Sequence, residues 1–184
     1  RQVLFLVPEI SLTPQLVGRL TGRLDARFAL FHSGLSEGAR AGAWLAAAMG
    51  DADILVGTRS ALFAPLPRLG LVVVDEEHDP SFKQQEGFRY SARDLALVKA
   101  RLADCPVVLG SATPSLESVA NVDRGRYRRL GLARRAGGAA APVLAVTDIR
   151  AQRLEGGLAP PLIRAMRVEL EAGNQVLLFL NRRG

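Results

Sequence analysis

Short apolar runs alternate with segments of helical periodicity along most of the 184 residues. The runs at residues 3–7, 28–31, 54–56, 71–74 and 107–109 are rich in Val, Leu, Ile and Phe. That composition suits strands buried on both faces. Between the runs lie helices with recognisable starts. Thr13 before Pro14 places an N-cap ahead of a proline at the first helical position, and Leu16, Leu20 and Leu24 follow at helical spacing. Ser36 opens a second helix that carries Trp44 and stops near Gly50. Ser91 and Asp94 have the spacing of a capping box, followed by the stripe Leu95, Val98 and Leu102. Thr113 and Pro114 repeat the Thr-Pro start. Strands alternating with helices predict an α/β fold, a parallel sheet with helices on both faces.

Over residues 134–157 the composition changes to Gly, Ala and Arg, with a short strand candidate at 143–146. Such a stretch reads as an interdomain connection. Pro160 and Pro161 then start a helix with Ile163, Met166 and Leu170 on one face; Gly173 ends it, and residues 176–180 read as another buried strand. The expected organisation is one α/β lobe over 1–133, a connection over 134–158 and the start of a second lobe over 159–184. Both ends read as cut, since the first strand has no preceding element and the last has no partner.

Composition narrows the setting. No segment is apolar for long enough to cross a bilayer, and the chain reads as soluble and cytosolic. A single cysteine, Cys105, excludes an internal disulfide framework and a cysteine zinc cage within these residues, and its apolar context predicts core packing. The net charge is +6, and of the 24 basic residues only Lys83 and Lys99 are lysines. Arginine's planar donor fork suits phosphate, and a basic surface attracts nucleic acid. A merely solvated basic face explains the same charge.

The most informative stretch is Val72-Val73-Val74-Asp75-Glu76-Glu77-His78-Asp79, a buried strand that delivers acids and a histidine to one point. Asp75 is expected at the carboxyl edge of a parallel sheet, where ligands bind in open α/β folds. There it would hold Mg²⁺ through the ion's water shell, beside nucleotide phosphates. Glu76 would orient the attacking water. Thr58 and Arg59 follow the third strand onto the same edge and suit a phosphate backbone; a plain turn is the alternative. Ser111 and Thr113 follow the fifth strand and come near His78, where their hydroxyls could bond the histidine and the acids; helix capping by Thr113 is the plainer reading and is compatible with it. Phe82, Lys83, Gln85, Phe88, Arg89 and Tyr90 interleave aromatic, basic and amide groups, as a stacking platform for unpaired bases does. An ordinary loop with its aromatics tucked inward is the competing reading. Glu9 and Thr13, after the first strand, could lie along a strand backbone or simply form a loop and cap.

An apolar run closing on D-E-x-H, together with G-S-A-T-P at residues 110–114, resembles the superfamily 2 helicases. The match tightens over the strings LVPEISLTPQ, FHSGLSEGAR, GTRSALFAPL, DEEHDPSFKQQEGFRYSARD, LGSATPSLES, GLAPPLI and NQVLLFLNRRG. In order and wording these resemble the replication-restart helicases of the primosomal protein N-prime family, over essentially the whole chain. The resemblance implies a RecA-like first motor lobe and the beginning of a second. It also implies an ATP-dependent 3′-to-5′ DNA helicase acting on branched forks and single-stranded DNA with other primosome proteins and single-stranded-DNA-binding protein. By the same resemblance Asp75 and Glu76 are the Mg²⁺ and water-activating acids, and His78 with Ser111 and Thr113 couples hydrolysis to DNA. Thr58 and Arg59 contact the DNA backbone, and the segment through Arg93 and Asp94 is the family's aromatic-rich loop, with Phe88 where members often carry tryptophan.

Departures from the family pattern are equally specific. The phosphate-cradling loop G-x-x-x-x-G-K-S/T is not in the sequence; in the family it lies just before the first strand found here. The cysteines that bind two structural Zn²⁺ ions would follow Gly184. The isolated chain is therefore expected neither to hydrolyse ATP nor to unwind DNA. Two alternatives remain open on sequence alone: a non-catalytic DNA-binding remnant of a helicase lobe, and another superfamily 2 DNA translocase.

Overall fold

The computed structural model describes residues 1–132 and 142–179. They fall within two compact units, Arg1–Leu130 and Gly131–Gly184. In chain order the first unit contains β1 (Gln2–Leu6), α1 (Pro14–Thr21), β2 (Phe28–Phe31), α2 (Glu37–Met49), β3 (Ile54–Gly57), β4 (Leu69–Val74), β5 (Lys83–Gln84), β6 (Tyr90–Ser91), α3 (Ala92–Leu102), β7 (Val107–Leu109) and α4 (Leu116–Asp123). Five strands form one sheet in the order β2-β3-β1-β4-β7. Every neighbouring pair is parallel, with Leu4 opposite both Leu55 and Val72. The RecA-like α/β fold expected from the alternating pattern is present, and each expected strand of this unit lies within two residues of its predicted start.

The pleat divides the sheet into two unequal faces. Leu4, Leu6, Ala29, Phe31, Leu55, Val72 and Val74 share one face and are buried together with Ala47 of α2 and Ala92, Ala96 and Ala100 of α3. Val3, Phe5, Leu30 and Val73 point to the other face and are only half-buried, and Val108 is exposed. Within α3 the buried stripe is alanine at every fourth position. The expected stripe is not the buried one: Val98 and Leu102 are exposed and only Leu95 packs against the core. A helix with no side chain beyond Cβ on its inner face can lie close to β4, and the larger residues are then turned outward. Trp44 of α2 packs against Phe31, ring centroids 5.7 Å apart. Cys105 also packs against this core, and burial pushes its thiol pKa up.

Helix starts follow local chemistry, with two corrections. The Thr13, Ser36 and Ser91 hydroxyls accept from the amides of Leu16, Ala39 and Asp94, as their spacing predicts. The Ser91 capping box is only half formed, because the Asp94 carboxylate accepts from Arg93 Nε at 2.8 Å and not from Ser91. Thr113 does not cap α4. Ser115 does, accepting from Ser118.

Gln2, fully buried at the start of β1, ties together the opposite edge of the sheet. Its Nε2 donates to the carbonyls of Ala47 and Ala52, each at 2.9 Å, and its Oε1 accepts from the Arg68 amide at 3.1 Å. One amide thereby satisfies the end of α2, the approach to β3 and the approach to β4. Gln2→Leu leaves the Ala52 carbonyl and the Arg68 amide without this partner and the Ala47 carbonyl with only the Gly50 amide, and is expected to destabilise the lobe by about 2–4 kcal/mol in urea denaturation. A loss under about 0.5 kcal/mol would mean that water replaces the amide.

In the second unit α5 (Pro160–Glu171) starts at the paired prolines, and Gly173 beyond it has φ 77°. Two expectations are corrected. Residues 142–149 and 174–179 form no strand, and Val143, Val146, Leu177 and Phe179 are exposed. A strand needs a ladder partner, and among the described residues of this unit none is offered to either segment. Residues 133–141 and 180–184, on which parts of the expected connection and last strand fall, lie outside the described residues. Among the described residues of this stretch, Glu155 and Leu158 form a tight turn, exchanging two backbone hydrogen bonds across Gly156 and Gly157. Both glycines have positive φ, 56° and 88°, as a two-residue hairpin turn requires. No described helix is long and apolar enough to cross a membrane.

Candidate active site

Because all five main strands run the same way, the residues after β1, β3, β4 and β7 meet along one edge. Asp75 leaves β4 with its amide still bonded to the Leu6 carbonyl, and its Oδ1 accepts from the Glu76 amide at 3.1 Å. Behind that carboxylate sits Gly110, where a Cβ would lie 3.1 Å from Asp75 Oδ1. The glycine of G-S-A-T-P is thus what leaves Asp75 its room. Glu76 takes a left-handed backbone conformation, φ 49°. Such a conformation is costly for a residue with a long side chain, and here it follows the turn in which the Asp79 amide bonds the Glu76 carbonyl. The Glu76 side chain is 42% exposed, on the solvent side of the loop.

His78 lies between the acids and the 110–115 loop. Its Nδ1 is 2.7 Å from Ser111 Oγ and 3.6 Å from Glu76 Oε2, and its Nε2 is 3.4 Å from Thr113 Oγ1. The structure brings together all five residues expected to form the hydrolytic and coupling site: Asp75, Glu76, His78, Ser111 and Thr113. No cluster of three or more metal-ligating side chains occurs among the described residues. A lone carboxylate fits Mg²⁺, which keeps several waters and takes its other oxygens from phosphates.

Sequence reasoning missed Glu77. Its side chain is 1% exposed. Oε1 accepts from the Ser115 amide at 2.7 Å, while Oε2 accepts from Ser115 Oγ at 3.0 Å and from Arg93 Nη1 at 3.1 Å. Burial pushes the Glu77 pKa up, but the Ser115 amide and hydroxyl and the Arg93 guanidinium outweigh it, leaving the carboxyl below its ordinary range. The available signal was a second glutamate directly after Glu76 with no role of its own.

The aromatic segment forms a small antiparallel hairpin, β5 with β6, joined at its tip by Gly87 at φ 65°. Phe88 is 77% exposed, and Gln85, Lys83 and Arg89 are also exposed. Phe88 and Tyr90 have ring centroids 5.9 Å apart. Phe63, half-exposed, meets Tyr90 edge-on at 5.1 Å. This third aromatic was not foreseen, since an apolar residue between the buried Leu62 and Ala64 gives no hint that it faces outward. Two expected nucleic-acid contacts are corrected, and a third is bonded within the fold. Phe82 is 1% exposed and belongs to the core, so it offers no face for stacking. Thr58 is 3% exposed and packs under the edge. Arg93 is engaged by Glu77, Ser115 and Asp94. Arg59 uses one nitrogen to hold the hairpin, donating to the carbonyls of Ser81 at 3.0 Å and Lys83 at 3.3 Å. Glu9 is exposed and accepts from Ser33 at 3.4 Å, while the Thr13 oxygen caps α1.

A parallel sheet with paired acids at its carboxyl edge, backed by a histidine and two hydroxyls, defines a helicase-type motor lobe. The DEAD/DEAH box helicase family matches residues 1–122, and the chain belongs to that family. It is 50% identical over 184 residues to the replication restart protein PriA of Haemophilus influenzae, covering all of this chain and 25% of that protein. Identity is 41% over 187 residues to PriA of Bacillus subtilis and 44% over 184 residues to PriA of Treponema pallidum, covering 23% and 28% of those proteins. The chain therefore spans about a quarter of the length of these relatives.

A pH dependence follows from Glu77. Its pKa in the folded lobe lies below the ordinary glutamate value of about 4.3. It therefore stabilises the fold at pH above that value, and the contribution disappears as pH falls through the folded pKa. Urea midpoints of wild type and Glu77→Gln, followed from neutral pH into acid, are expected to converge. A gap that does not change with pH would show that the carboxylate is not held ionised.

Proposed function

We infer that this chain is the first motor lobe of an ATP-dependent 3′-to-5′ DNA helicase that restarts stalled replication forks and initiates primosome assembly. In this reading residues 1–133 are the lobe, 134–158 the connection and 159–184 the start of the second lobe. Zinc would be held by cysteines elsewhere in the protein. The protein would work in the bacterial cytoplasm on branched and single-stranded DNA, with other primosome proteins and single-stranded-DNA-binding protein. The observation that carries the reading is the meeting of two carboxylates, Asp75 and Glu76, with an exposed aromatic and basic hairpin only a few residues further along the chain.

Each residue's part follows from its placement. Asp75 would hold Mg²⁺ through water, and when bound with ATP the ion offsets charge on the phosphate oxygens. Glu76, partly exposed beyond Asp75, would orient the attacking water and accept its proton. His78, bonded to Ser111 and facing Thr113, ties the acid loop to the loop after β7. Phe88 and Tyr90 would stack unpaired bases while Lys83 and Arg89 meet phosphates. Arg59, with one nitrogen bound to the hairpin backbone, would keep those rings in place.

In the full-length protein, Glu76→Gln is expected to lower DNA-stimulated ATP turnover by about 10²–10⁴-fold with oligonucleotide binding retained. Turnover within threefold of wild type, as an order-of-magnitude bound, would remove Glu76 from catalysis. Phe88→Ala is expected to weaken single-stranded DNA binding by about 1–3 kcal/mol in a titration with labelled oligonucleotide, and no loss would remove the stacking platform. The 184-residue chain alone is expected to show no ATP turnover with or without DNA. Measurable DNA-stimulated hydrolysis by the purified chain would contradict that expectation.

A further inference from the structure

We propose that Glu77, Arg93 and Ser115 form a positioning triad that fixes the acid loop against the aromatic hairpin, so that DNA bound at the hairpin sets the geometry of Glu76. The proposal rests on the helicase reading above and adds the side chains that carry the signal.

The three residues come from three elements, each next to a different part of the site. Glu77 directly follows Glu76. Arg93 is in the first turn of α3, immediately after β6, whose Tyr90 carries the aromatic contacts. Ser115 caps α4 directly after the loop that bears Ser111 and Thr113. Its hydroxyl stands at the junction, 3.0 Å from Glu77 Oε2, 2.9 Å from Arg93 Nη1 and 3.2 Å from the Ser118 amide. Arg93 is held again by Asp94 at 2.8 Å. The Glu77 amide also donates to the Gly110 carbonyl at 3.0 Å, so the acid loop and the 110–115 loop are joined by backbone as well as side chain. A displacement of β6 therefore reaches Glu76 through one guanidinium and one carboxylate.

Stability alone does not account for the arrangement. A buried ion pair replaced by apolar groups of like volume leaves a protein about as stable or more so. Apolar residues would hold three loops together equally well, but they would let them slide. Directional bonds with fixed geometry transmit position, and a coupling of this kind is typically worth a factor of about 5–150.

The test uses the full-length protein with Arg93→Gln, Arg93→Lys and Ser115→Ala. Three quantities are read: ATP turnover with and without an oligo-dT strand, affinity for that strand by anisotropy, and hydrogen exchange at residues 75–79 and 110–115. Arg93→Gln is expected to lose DNA stimulation by about fivefold or more while oligo-dT affinity stays within about twofold. Arg93→Lys recovers part of the stimulation. Ser115→Ala, which keeps the backbone bond to Glu77, shows a smaller loss in the same direction. In wild type, oligo-dT changes exchange at both loops, and in Arg93→Gln that change is abolished. Affinity falling in step with stimulation would make Arg93 a DNA contact and overturn the proposal. So would an exchange response equal in variant and wild type. Wild type that binds oligo-dT and passes the change to both loops, yet hydrolyses no ATP, would sink the helicase reading and support the triad; failure to bind oligo-dT would sink both.

Discussion

A carboxylate shut away from water persists as an anion only where donors surround it. Glu77 sits on the acid loop and has its donors on the start of α4 and in the first turn of α3, so three separate stretches of the chain are involved. Meeting that demand forces the three to converge. Once they do, the positions of the residues beside them are largely settled: Glu76 on one side of Glu77 and His78 on the other, with Ser111 and Thr113 across from the histidine. The carboxyl edge of the sheet is shaped by the requirements of a buried acid that faces away from it.

The far edge of the sheet is organised by the same kind of logic with an uncharged group. Gln2 satisfies three backbone groups where β1, β3 and β4 begin. Near it, Arg27 grips Asp53 through two nitrogens and reaches the Gly50 carbonyl. Lys99, half-buried, extends α3 to the carbonyls of Leu62 and Ala64 at the end of the 3₁₀ segment Arg59–Phe63. Burial lowers the Lys99 pKa, and among the described residues no carboxylate compensates. With a sealed apolar face between them, the two edges are held by polar side chains that bond main chain from distant segments. Such bonds fix where a strand begins and ends, which apolar contact does not do.

Strands were legible because a parallel sheet buried within a fold asks for short unbroken apolar runs, and the five strands of the main sheet each contain one. Helix starts at Thr13 and Ser36 were legible because a cap is local chemistry. Where two caps compete within three residues, as Thr113 and Ser115 do, the decision comes from Glu77, 38 residues back in sequence. The same kind of distance defeats residue type elsewhere. Phe82, Thr58 and Arg93 look like ligand-facing groups in the linear chain, and each is taken up by the fold. Phe63 looks like core and faces outward. The acids, the histidine and the two hydroxyls were legible because each follows a strand directly, so strand direction alone sends them to the same edge.

The left-handed backbone at Glu76 bears on how its carboxylate is aimed. A free peptide of the same sequence would spend little time in that conformation, because only glycine, asparagine and aspartate adopt it readily. The carboxylate's direction is therefore a property of the folded loop: of Asp75 and Asp79 gripping either side of Glu76, with Glu77 anchored beneath. Preorganisation at this position is borrowed from tertiary structure, and the tetrapeptide transplanted into another loop would carry the letters of the motif without its geometry.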